Sequence, residues 1–262
     1  MTRRLLLSLP LALQAKERVL ALPLRSRVEV FKGSGIWREV RVTESFPAAR
    51  TAVLICDMWD KHWCSGATKR VGLLTERMAP FLEKARSAGL TIIHSPSDVM
   101  TFYQDAPQRK RAMDAPTVQP ARNLDLPDAP LPIDDSDGGC DTDEKFYKAW
   151  SRQHPALRIA ADDYVTDKGV EVYNVMRQRG VENLLVMGVH TNMCVLNRSF
   201  AIKQMTRWGV RCVLVRDLTD AMYDPRDKPY VPHDQGTALV VEHIEKYWAP
   251  SVLSTEVLKA MA

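Results

Sequence analysis

The hydrophobic positions along this chain fall into short dense runs separated by longer amphipathic stretches. Residues 52–57, 90–94, 183–188 and 210–215 are largely apolar and bounded by glycine or charged residues, which reads as buried strands. Between them, Val71, Leu74, Met78, Leu82 and Ala85 recur at helical spacing and predict a helix over 70–88 stopped by Gly89. Further helices are expected over 169–179 before Gly180, 192–208 before Gly209, and 234–247. Strands alternating with helices predict an α/β protein: a single-domain three-layer fold with a mostly parallel sheet and helices on both faces. Residues 27–42 alternate apolar and polar around Lys32-Gly33-Ser34-Gly35, the pattern of an N-terminal hairpin that pads one sheet edge.

Two stretches break this rhythm. Residues 96–160 are irregular, with six prolines from Pro107 to Pro132 followed by the acidic run from Asp134 to Glu144, and a loop of that length in a compact domain is usually functional or disordered. It is expected to cover a crevice, with Phe102, Tyr103 and Trp150 as possible substrate-facing aromatics. At the start, Met1-Thr2-Arg3-Arg4 precedes a short apolar stretch ending at Ala15, which resembles a secretory signal peptide. The organisation expected is therefore a signal peptide over 1–15, an N-terminal extension with the hairpin over 16–47, the main domain over 48–248 and a C-terminal tail over 249–262. Export, to the periplasm or outside the cell, follows if the leader is cleaved; otherwise the protein is cytoplasmic.

Composition narrows the function classes. With 45% apolar residues in a chain of 262, a sizeable core is affordable. A formal charge of +4 without a Lys/Arg-rich run interleaved with aromatics argues against nucleic acid as a partner, and no apolar run is long enough to span a membrane in the mature chain. The five cysteines form an odd set: Cys56 and Cys212 lie in buried strands, and Cys64 with Cys140 is a conceivable pair.

The candidate chemistry sits where strands end. Cys194 follows the run Leu184-Leu185-Val186-Met187-Gly188-Val189-His190-Thr191-Asn192-Met193, which places a thiol near a helix N-terminus at the sheet's carboxyl edge, where the helix field favours a thiolate and free N–H groups hold an oxyanion. A buried structural cysteine is the other reading. Asp57 ends the run 52–57 and would face the same crevice, because ligands bind beyond the carboxyl ends of parallel strands. Trp59, His62 and Trp63 follow it and are candidates for shaping the pocket, although His62 could serve only to cap a loop.

A strand ending in Asp, followed much later by Gly188-Val189-His190-Thr191-Asn192-Met193-Cys194-Val195, resembles the isochorismatase-like cysteine hydrolases, a superfamily of nicotinamidases, other small amidases and isochorismatase. The resemblance covers roughly residues 48 to 248. It implies a triad of Asp57, a lysine and Cys194, in which Cys attacks a carbonyl, Asp takes the thiol proton and Lys organises the site. It also implies a cis peptide between Val189 and His190 and an oxyanion hole from the backbone N–H groups of His190 and Cys194; Thr191 and His94 join Trp59, His62 and Trp63 as pocket candidates. Lys168 stands at the family's spacing after Asp163, but the turn that usually follows is missing; Lys61 or Lys148, or no lysine, remain open alternatives. The family's metal cluster is represented only by His94 and Asp98, fewer ligands than a site requires, and the acidic run does not match a calcium loop. Neither metal nor cofactor is expected.

These features point to hydrolysis of an amide-type C–N bond in a small molecule through a thioester, by a chain that the resemblance suggests is a homo-oligomer. Vinyl-ether hydrolysis with Asp57 as the main acid/base is an alternative. A non-catalytic exported binding protein is another.

Overall fold

The computed structural model describes residues 18–262, so the expected leader over 1–15 lies outside the described residues. An eight-stranded sheet runs in the order β2-β1-β8-β7-β6-β3-β4-β5. Its centre is parallel: β3 (Thr51–Cys56) lies between β4 (Thr91–Ser95) and β6 (Asn183–Val189), with β5 (Tyr164–Val165) outside β4 and β7 (Arg211–Asp220) outside β6. The hairpin of β1 (Val19–Glu29) and β2 (Trp37–Pro47) is antiparallel and closes one edge. It is longer than the alternation predicted, because the outer strand carries charged side chains that tolerate water on both faces.

Successive residues of the central strands feed opposite layers, as the period-two geometry of a strand requires. Ala52, Leu54, Leu184, Val186 and Leu214 pack against α4 (Gly169–Gln178), α6 (Ile202–Arg207) and α7 (His233–Tyr247). Val53, Ile55, Leu185, Met187 and Val213 pack against α1 (Ser65–Ser87) and α8 (Ser254–Ala260). The three-layer α/β arrangement read from the sequence is therefore the observed one. Among the described residues no helix is long and apolar enough to cross a membrane.

The C-terminal segment differs from the expected tail. β8 (Ser251–Val252) is inserted between β7 and β1, pairing parallel with one and antiparallel with the other, and α8 covers the sheet with Val257 and Met261 buried. It joins the N-terminal hairpin to the main sheet, and Leu20, Leu22 and Leu24 of β1 pack in the same apolar layer as Val53 and Val213. The helix expected over 192–208 is also changed: it is broken into α5 (Cys194–Asn197) and α6, with Arg198 extended between them. In the long connection, two short helices, α2 (Met100–Tyr103) and α3 (Pro107–Met113), precede an irregular path to β5.

Candidate active site

Two strand ends meet where the sheet's parallel centre stops. Gly188, at φ 115°, brings β6 so close to β3 that a Cβ there would stand 2.0 Å from the Cys56 carbonyl oxygen, so a side chain at this position would drive the strands apart. β3 then turns sharply at Asp57, whose φ of 46° lies in the left-handed region that Asp tolerates better than most residues. β6 continues through a cis peptide between Val189 and His190, as the family resemblance implied, and reaches Cys194 at the first position of α5.

Asp57 is completely buried, and each of its carboxylate oxygens is held. Oδ1 accepts from the Ser97 backbone N–H at 2.6 Å and from the Ser97 hydroxyl, while Oδ2 accepts from Nε of Arg198 at 3.3 Å. Arg198 also donates through Nη2 to Asp98 at 2.8 Å. An ion pair at 3.3 Å attracts by roughly 5 kcal/mol gross at an effective dielectric of about 20, whereas burying a carboxylate costs several kcal/mol. Burial wins: the Asp57 carboxyl is raised above its ordinary range despite the opposing guanidinium and the Cys194 and Ser97 contacts. Asp57 and the Cys194 thiol act on one another's titration. Burial first, and then the Asp57 charge, push the thiol well up, against Arg198.

That direction differs from the expectation of a thiolate favoured by a helix field. With only four residues, α5 sums few peptide dipoles, and the helix that would have strengthened the field is broken at Arg198. A thiol pushed up in this way keeps its proton at rest, which suits a nucleophile that loses it to a neighbouring base as it attacks. The backbone N–H groups of His190 and Cys194 donate no hydrogen bond among the described residues.

The cation beside Asp57 is Arg198, which the sequence reading did not consider. Lys168 is 61% exposed at the start of α4, and its ammonium lies 3.5 Å from Glu171. Lys148 donates to the Asp98 carbonyl at 3.0 Å and Lys61 lies over the Tyr147 ring, so neither alternative lysine takes the position. One sequence signal could have indicated Arg198: it stands four residues after Cys194, one helical turn away on the same face.

Cys194 lies on an open cleft of ≈420 Å³ with Leu131, Asp135, Asn192, Met193, Asn197 and Arg198. A depression of ≈520 Å³ beside β1 and α8 is larger, but it gathers no nucleophile, so chemistry rather than size selects the cleft. The expected pocket residues Trp59, His62, Trp63, His94 and Thr191 do not line it. His94 is sealed in β4 with Nδ1 on Gln153 and Nε2 on Asp163, each at 3.0 Å, which removes both nitrogens from substrate or metal and separates it from Asp98. Thr191 is buried with its hydroxyl 2.7 Å from that of Thr219, so it braces the loop.

Trp59, His62 and Trp63 form an aromatic group instead. Trp59 stacks on Trp150 at 4.5 Å, His62 stacks on Trp150 at 5.7 Å, and Trp63 meets Phe146 edge-on. Trp59 donates to the Ser97 carbonyl at 3.0 Å and shares an apolar cluster with Cys194, so it supports the residue that holds Asp57. Of the loop aromatics, Tyr103 is buried with its hydroxyl accepting from the Gln153 N–H, whereas Phe102 is exposed. His62 is pushed down to about 4 and His190 to about 3, chiefly by burial, so both imidazoles are neutral near pH 7 and leave Arg198 as the positive group.

The acidic run is tied down, not a freely solvated loop. Asp135 accepts from the Asn192 amide at 2.7 Å, and Asp141 is held by Arg70. Cys64 and Cys140 are free thiols that lie near one another.

The isochorismatase domain family matches residues 51–229, well over half the chain. Solved structures with a similar fold include a cysteine hydrolase from Pseudomonas syringae pv. phaseolicola 1448A, 18% identical with a TM-score of 0.54, covering 82% of this chain and 94% of that one. An isochorismatase from Pseudomonas putida KT2440 is 16% identical with a TM-score of 0.49, covering 80% of this chain and 91% of that one. An isochorismatase family protein from Burkholderia thailandensis is 16% identical with a TM-score of 0.47, covering 81% and 96%. No curated protein matches the chain.

Proposed function

Since the chain belongs to the isochorismatase domain family of hydrolases, we propose that it cleaves an amide-type C–N bond in a small molecule, with Cys194 as nucleophile and Asp57 as base. The observation that carries this reading is the thiol beside a buried carboxylate on an open cleft, with two unpaired backbone N–H groups in the turn that leads to it. As Cys194 Sγ attacks the carbonyl carbon, its proton passes to Asp57 and the oxygen's charge is taken up by the N–H groups of His190 and Cys194. Collapse returns the proton to the leaving amine and leaves a thioester. Water, deprotonated by Asp57, then attacks the thioester, releases the acid and restores the thiol. Arg198 keeps the Asp57 carboxylate oriented and limits how far burial raises it.

The test is intact-mass measurement after mixing the protein with a library of small primary amides. A wild-type adduct equal to the acyl group, absent in Cys194→Ala together with all turnover, supports the reading. Undiminished hydrolysis by Cys194→Ala refutes it.

One observation favours a second reading. A buried carboxyl raised above its usual range is a better proton donor near neutrality, as protonation of a vinyl ether requires. In that case Asp57→Asn is inactive on a vinyl ether while Cys194→Ala retains activity.

A further inference from the structure

The segment just before α1 and the acidic run of the long connection come together in a cluster that the proposed hydrolysis does not use. One thiol of Cys64, one thiol of Cys140 and one carboxylate oxygen of Glu144 all lie within 4.8 Å of one another. Cys64 is fully buried and Cys140 nearly so. Thr142 lies between them, its hydroxyl 3.3 Å from the Cys64 sulfur and 3.5 Å from the Cys140 sulfur, and Glu144 Oε2 is 3.5 Å from the Cys140 sulfur. We propose that Cys64, Cys140 and Glu144 bind a thiophilic divalent cation, of which zinc is the type.

The donor set argues for that class. Two sulfur ligands and one carboxylate suit zinc, which takes four ligands in a tetrahedron, and here water completes the fourth position. Calcium and magnesium prefer all-oxygen shells and are disfavoured by two thiols. Binding releases both thiol protons to solvent, so the cation with two thiolates and one carboxylate leaves a single net negative charge. The Cys64 thiol donates to Asp141 at 3.3 Å, and Arg70 holds Asp141 at 2.5 Å and Asp220 at 2.9 Å, so the neighbouring carboxylate is neutralised by its own guanidinium rather than added to the cluster. No guanidinium or ammonium pairs with Glu144 among the described residues, so its oxygens are not committed to another cation.

The surroundings hold the ligands together without the ion. Gly139, next to Cys140, has a φ of 64°, and a Cβ there would lie 2.4 Å from the Met222 carbonyl oxygen, so only glycine lets this segment press onto the end of β7. Cys64 is fixed by its N–H, which donates to Nδ1 of His62 at 3.2 Å. Ligand positions supplied by packing reduce the ordering that a cation would otherwise have to impose. The same connection carries Leu131 and Asp135 along the Cys194 cleft, so an ion here would fasten one wall of that cleft to the start of α1.

The experiment is metal analysis of the full chain purified without chelator from zinc-supplemented cells. The expected result is one zinc per chain in the wild type and in Cys194→Ala, loss of that zinc in Cys64→Ser and Cys140→Ser, and a dissociation constant raised by about 10- to 100-fold in Glu144→Gln. Cobalt added to the metal-stripped wild type should give intense thiolate-to-cobalt charge-transfer absorption, a readout that survives if a cysteine variant fails to fold. Absence of both zinc and that absorption overturns the proposal. So does a Cys64–Cys140 disulfide in the purified protein.

Discussion

Two thiol neighbourhoods lie on either side of a single peptide bond, since Met193 packs against the Cys64–Cys140 cluster while its neighbour Cys194 packs toward Asp57 and Trp59. Around Cys194, the carboxylate is already occupied by Ser97 and Arg198, so an arriving cation would meet a guanidinium. Around Cys64, a second thiol and the Glu144 carboxylate stand together without such a partner. The same side chain is therefore set for proton transfer in one place and for chelation in the other. What differs is the second thiol: Cys64 also meets a carboxylate with a fixed positive partner, Asp141 at 3.3 Å held by Arg70, but Cys140 and the cation-free Glu144 stand beside it, whereas Cys194 stands with the one carboxylate of Asp57 and no second sulfur in such a group among the described residues.

The largest expected effect that would break this contrast comes from Asp57→Asn. Loss of the base should lower amide hydrolysis by about 10²- to 10⁴-fold. Because the Asp57 charge helps to hold the Cys194 thiol up, the same change should make alkylation of Cys194 faster at a fixed alkaline pH. Opposite signs in the two assays separate a base from a structural prop, which would lower both. The zinc content should not change.

Arg198→Gln comes next. It removes the cation that opposes the raised Cys194 thiol and the raised Asp57 carboxyl, so both should move further up. Cys194 alkylation should then require a higher pH, and hydrolysis should fall by about 10- to 10²-fold, the cost of roughly 1.4–2.8 kcal/mol in the barrier. Arg198→Lys should recover only part, because an ammonium cannot reach Asp57 and Asp98 together in the arginine's forked geometry. If Arg198→Gln leaves both the alkylation profile and the rate unchanged, the guanidinium plays no part in the site.

A smaller effect should follow from Cys64→Ser. Loosening the segment that carries Leu131 and Asp135 should raise KM a few-fold with kcat nearly constant, since the reacting groups stand on β3 and α5. A large fall in kcat would mean that the two thiol regions are one functional unit.

How much of this was legible in the sequence depends on the range of the forces involved. The ends of β3 and β6 were readable because apolar runs bounded by Gly188 and Asp57 reflect burial between two helical layers, a constraint written locally in each residue. The C-terminal strand was not: β8 has two residues, too few for a period, and its place depends on β1 and β7 arriving from opposite ends of the chain. Within the site, Asp57 and Cys194 followed from strand position. Arg198 carries no sequence signal strong enough to single it out, and the surroundings of His94 and Thr191 differ from a pocket position, because all three depend on which side chain meets which. His94 looks free in sequence, and only the approach of Gln153 and Asp163 occupies its ring.

Lys168 gives the smallest effect and the sharpest check on this division. Family spacing points to it as the triad cation, whereas its observed surroundings are solvent and Glu171. An exposed pair of this kind contributes about 0–1 kcal/mol, and a charge screened by water transmits little to a buried thiol. Lys168→Gln should therefore change kcat/KM by less than about twofold and leave the pH dependence of Cys194 alkylation where it was, because the groups that shift this thiol are burial, Asp57 and Arg198. A loss of about tenfold or more in kcat/KM, with Arg198→Gln tolerated, would return the cationic role to the lysine and require its side chain to swing from Glu171 toward Asp57 when substrate binds.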